Sequence, residues 1–154
     1  MKKLFLLLFL IPNLVMAEEK FIPVAEYTAN KAHWQSNLYE ILYVACRCGF
    51  AYSSAHHQLV EHIGEDEVKE DLHKKGFDIA MKAADHIENT FGGDISRFDY
   101  SSLELTIEGI ADFYEGEAKK SYIGNKQFNG IMGNDLKACE SYDAFFEGLL
   151  REAV

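Results

Sequence analysis

Apolar residues recur at Trp34, Leu38, Ile41, Ala45, Cys48, Tyr52, Ala55, Leu59 and Ile63. The steps of four and three hold one line for about eight turns of helix. A line this long has to be buried against other elements, which narrows the fold to packed helices. Proline does not interfere. The chain has only Pro12 and Pro23, so nothing beyond residue 23 forbids long helices. Gly64 fits a C-terminal stop. The segment reads as one helix, or as two broken near Gly49.

A second helix is expected from about Asp66 to Thr90, with Val68, Leu72, Gly76, Ile79, Ala83 and Ile87 close to one face and Asn89 to Gly93 ending it. Asp99 to Ser102 reads as the next start, because Glu104 follows Ser101 by three residues as in a capping box. That helix carries Leu103, Ile107, Ile110, Tyr114 and Ala118 on one side. Residues 121–134, rich in Gly and Asn, read as a loop. Asp135 then opens a last helix through Leu136, Cys139, Phe146, Leu149 and Leu150, either continuous or broken near Ser141, Tyr142 and Asp143, since Ser and Asp cap well. No segment alternates over more than a few residues, so strands have little support. The expected fold is all-α, a bundle of four to five helices tied by one disulfide.

The N-terminus constrains compartment. Lys2 and Lys3 precede an apolar run from Leu4 to Val15, and Val15, Met16 and Ala17 resemble a signal-peptidase site. Residues 1–17 are therefore expected to be a signal peptide, and 18–154 a single exported helical domain in the periplasm. The run is short for a membrane span, and no Cys at the exit suggests a lipid anchor. Removing Lys2 and Lys3 from the 15 basic residues leaves 13 against 25 acidic ones, a formal charge of −12. Such a surface repels nucleic acid and anionic lipid, so neither is expected as a partner, whereas a basic protein would be attracted. The charge also serves solubility alone.

Three cysteines in an oxidising compartment imply one bridge and one leftover thiol, or a bridge between copies. Cys46 and Cys48 lie about 200° apart on a helix and cannot join each other. On the same wheel Cys48 falls on the apolar line and Cys46 does not, which selects Cys48–Cys139.

Motifs for chemistry are missing. The chain has no Gly-x-Ser-x-Gly, no His-Glu-x-x-His and no Cys-x-x-Cys. No enzyme activity and no cofactor are expected. His56, His57, Glu61 and His62 crowd the end of the first helix, and His57 with Glu61 has a spacing that can share a metal. His62 points elsewhere, so the group also reads as a solvated helix end. A metal- or small-ligand-binding bundle using His57, Glu61 and His62 is the alternative function. Two features suggest a protein-binding surface. Glu104, Glu108, Asp112 and Glu115 draw an acidic stripe opposite the apolar side of their helix, either a solvated face or a landing site for Lys and Arg. The loop after it offers Tyr122, Ile123, Asn125 and Phe128, as exposed anchors or folded back on the core.

Two segments, Cys48-Gly49-Phe50-Ala51-Tyr52 and Leu136-Lys137-Ala138-Cys139, resemble the periplasmic immunity proteins that neutralise type VI secretion amidase effectors. Cys46 and the distance from Cys48 to Tyr52 depart from that family's pattern. The resemblance implies a non-catalytic inhibitor that blocks a secreted peptidoglycan amidase, often as a homodimer. It implies contact through the 121–134 loop and the stripe from Glu104 to Glu115.

Overall fold

The computed structural model describes residues 21–68, 71–94, 98 and 101–149, with the side chains of 101–105 outside the description. The expected signal segment lies outside these residues. So do the side chains of Leu103 and Glu104, the proposed Ser101–Glu104 capping box, and Leu150.

Five α-helices and one hairpin form the described chain: α1 (Val24–Asn30), α2 (Leu38–Ile63), α3 (Leu72–Thr90), α4 (Ser101–Ser121), β1 (Tyr122–Gly124), β2 (Gln127–Phe128) and α5 (Gly130–Leu149). The all-α bundle is as expected, and no described helix is long and apolar enough to cross a membrane.

The central element is α2. The side chain of Asn37 accepts from Tyr39 N at 3.0 Å and Glu40 N at 3.3 Å, which starts the helix there. Trp34, expected inside it, sits in a 3-10 turn just before, still buried. The helix runs unbroken through Gly49 and ends at Gly64, whose φ of 83° suits only glycine. The predicted line is the core: Ile41, Ala45, Cys48, Tyr52, Ala55 and Leu59 are all buried. Helices α3, α4 and α5 pack around it, and α1 lies on α5. Cys48 and Cys139 form the expected disulfide, their Cα atoms 5.4 Å apart and 91 positions apart in sequence. Cys46 is free and buried.

Gly49 and Gly76 let α2 and α3 nearly touch. A Cβ on Gly76 would sit 2.5 Å from the carbonyl oxygen of Gly49. The Gly76 of the predicted apolar face is thus a crossing point.

Several expectations need correction. Helix α3 starts at Leu72, not Asp66, because Asp71 accepts from Lys74 N at 2.9 Å and caps it, while Glu65–Glu67 form a separate 3-10 turn. Residues 121–134 are not a loop. Ser121 ends α4, and a two-stranded antiparallel hairpin and the first turn of α5 follow. Strands of three and two residues are too short to show alternation. Helix α5 starts at Gly130, and Met132, in its first turn, is fully buried. No break occurs at residues 141–143. Ser141 spends its hydroxyl on the Ala138 carbonyl at 2.6 Å within the helix, and Tyr142 contacts Thr28 and Trp34.

Candidate protein-binding site

The acidic stripe and the hairpin are consecutive in the chain. On α4, Ile110, Tyr114 and Ala118 are buried as predicted, which turns Glu108, Asp112 and Glu115 to solvent. The side chain of Glu104 is outside the description. Glu115 is not a bare charge. Lys119 Nζ meets its Oε1 at 2.8 Å, one helical turn on. The hydrogen bond and the charge of Lys119 hold the Glu115 carboxyl below its ordinary value. Among the described residues neither Glu108 nor Asp112 has an ion-pair partner.

The hairpin turns on Asn125 and Lys126, both with positive φ, 49° and 61°. Two consecutive left-handed residues make the tight turn that matches strand twist. The two readings of the loop divide by residue. Tyr122 folds back, its ring 4.4 Å from that of His62 and 5.5 Å from Phe128. Phe128 is half-buried against the core. Lys126 Nζ donates to the Glu67 carbonyl at 2.7 Å and pins the turn to the 3-10 turn that follows α2. That leaves Ile123, 59% exposed, and Asn125 facing water on a braced support.

The histidines do not gather. Gln58 Nε2 lies 3.1 Å from Glu61 Oε2 and 2.7 Å from His62 Nδ1, which ties Glu61 and His62 to their own helix. His57 is exposed on another side, and the Nδ1 of His73 pairs with Ser53 Oγ at 3.0 Å. Among the described residues no three His, Cys, Asp or Glu side chains are disposed to hold a metal.

What braces this surface is a buried polar group that the sequence reading missed. Arg47 Nη2 donates to Asp135 Oδ2 at 2.7 Å and Arg47 Nε to the Tyr114 hydroxyl at 3.0 Å. Tyr114 also donates to Asp135, and the amide of Val24 donates to Asp135 Oδ1 at 2.7 Å. Four helices, α1, α2, α4 and α5, meet at one carboxylate. Burial raises the Tyr114 pKa, and Asp135 raises it further, against the opposing pull of Arg47. The rings of Phe21, Tyr43 and Tyr114 surround the guanidinium at 5.5 to 5.8 Å. A signal did exist: Arg47 is the one Asp, Glu, Lys or Arg between Ile41 and Val60. Such a charge inside an apolar helix has to be paired.

No protein-family model matches the chain, and no curated protein or solved structure matches it.

Proposed function

We propose that the chain is an exported immunity-type protein that binds and inhibits a secreted cell-wall amidase. The observation that carries the binding half is the acidic edge of α4 leading into a hairpin whose tip presents Ile123 and Asn125. Glu108 and Asp112 are exposed and without ion-pair partners among the described residues, and they suit the Lys and Arg of a basic cleft rim. Ile123 supplies an apolar anchor for the same contact. Support for the amidase half is the sequence resemblance around Cys48 and Leu136–Cys139. Export, removal of residues 1–17 and a periplasmic location belong to the same proposal. They agree with a disulfide that needs an oxidising compartment.

The test is to search beside the gene for a secreted lytic enzyme, to mix residues 18–154 with the one encoded there and to follow peptidoglycan amide hydrolysis. A neighbourhood without such an enzyme counts against the proposal. A stable complex and loss of hydrolysis are expected. The double variant Glu108→Lys, Asp112→Lys should weaken the complex about tenfold or more, with a smaller difference at high salt. Undiminished hydrolysis with no complex ends the proposal.

A further inference from the structure

We infer that the furrow between α3 and α4, floored by α2, is the docking groove for a basic amphipathic segment of the partner protein. The inference rests on the inhibitor reading above and adds a second contact surface to it. Helices α3 and α4 each pack on α2 but make little contact with each other. The strip of α2 between them, Cys46, Phe50, Ser53 and His57, points away from the side that Cys48 ties to α5. Two hollows run along this strip, about 240 Å³ over Cys46 and Gly49 and about 450 Å³ over Ser54 and His57. They meet at Phe50, Ser53 and His73, so the furrow is continuous.

The two walls differ in chemistry. On the α3 side stand Phe77, 59% exposed, and Ala80, with Met81, 43% exposed, beyond them. Phe77 lines the hollow, and Met81, one helical turn further on, leaves a second large apolar side chain of α3 in water. On the α4 side the wall is Ile107, Ala111, Glu115, Ala118 and Lys119, with Glu115 and Lys119 paired at 2.8 Å. Glu108 and Asp112 lie about 20° and 60° further round α4 than Glu115, on either side of Lys119 at about 40°. Lys119 pairs with Glu115, so the two carboxylates without ion-pair partners among the described residues leave that lip net acidic.

This asymmetry specifies the occupant. An amphipathic helix reads such a groove with apolar residues at i, i+3 or i+4, and i+7. Its apolar side would face Phe77 and the floor, and its Lys or Arg residues the acidic lip. A second copy of this chain is a poor fit, because it would bring its own Glu108, Asp112 and negative charge to the same lip.

The experiment is calorimetric titration of residues 18–154 with a helical peptide of Leu and Lys, about eighteen residues or five turns long. A Leu and Glu peptide of the same pattern is the comparison. Two variants probe the groove: Ala80→Trp, which fills it, and Phe77→Ser, which strips an exposed wall residue that the core does not need. Circular dichroism checks that both are folded. The Lys peptide should bind, the Glu peptide should not, and each variant should weaken binding about tenfold. Equal binding of both peptides, or unchanged binding to both variants, overturns the inference. The same variants against the neighbouring lytic enzyme separate the two proposals. Inhibition that both variants leave intact sinks the groove and spares the inhibitor reading. Peptide binding in the groove without any enzyme complex does the reverse.

Discussion

Arg47 and Asp135 stand 2.7 Å apart with both side chains fully shielded from water. They lie on α2 and α5, 88 positions apart, and the Cys48–Cys139 disulfide joins the same two helices one and four residues further along. A covalent tie and an ion pair therefore fix the same helix pair. The pair also recruits α1 through Val24 and α4 through Tyr114.

Breaking this pair from one side leaves a charge buried without its partner. Asp135→Ala is expected to cost about 3–5 kcal/mol, because Arg47 and the Val24 amide lose their acceptor together. The double variant Arg47→Met, Asp135→Leu removes both charges and should be more stable than Asp135→Ala by about 1 kcal/mol or more. It stays below wild type because the Val24 amide is still orphaned. Urea unfolding of the three proteins measures this. A double variant no better than the single one contradicts it.

Loss of Cys48 or Cys139 should lower stability by roughly 2–5 kcal/mol, since the bridge closes a loop of 91 positions. Cys46→Ser should cost less, because Cys46 is unbridged and its loss opens no loop. Mass mapping of non-reduced peptides should find Cys48 with Cys139 and Cys46 alone.

Two glycine substitutions should have opposite signs. Gly76→Ala places a methyl against the Gly49 backbone and should cost about 1–3 kcal/mol as the helices part. Gly116→Ala meets nothing within 4 Å on α4 and should gain roughly 0.5–1 kcal/mol, the ordinary helix preference for alanine. Thermal melts of the two variants decide.

Burial pushes the Cys46 thiol up to about 11 from an ordinary 9.0. Below pH 9 both folded and unfolded chains keep the proton. Between 9 and 11 only the unfolded chain releases it, so stability falls with rising pH across that window. The loss is on the order of 2–3 kcal/mol from this group. Cys46→Ala should fall less steeply than wild type over the same range. Iodoacetamide should label the folded chain with a rate that rises towards pH 11, and the urea-unfolded chain with one that rises towards pH 9.

Much of this bundle is local, and local patterns are written in the chain. The line from Trp34 to Leu59 predicted α2 and its buried face, since periodicity and burial are one fact seen twice. The angle between Cys46 and Cys48 selected the bridge by the same geometry. Reading Gly and Asn as loop formers missed the hairpin, because a turn carried by Asn125 and Lys126 leaves only five residues in strands. It also missed the first turn of α5, whose Met132 is buried by distant neighbours. Likewise the stripe of Glu108, Asp112 and Glu115 was visible as an exposed face, but not that Tyr122 and Phe128 turn inward while Ile123 turns out. What the sequence by itself determined was helical class, helix phase and the cysteine pair, all set by spacing along one element, while the starts of α3 and α5 were misplaced by several residues. Only the tertiary structure decided which helices meet. The Arg47–Asp135 pair, the Gly49–Gly76 crossing and the furrow between α3 and α4 depend on segments far apart in the chain, and no spacing within one helix encodes them.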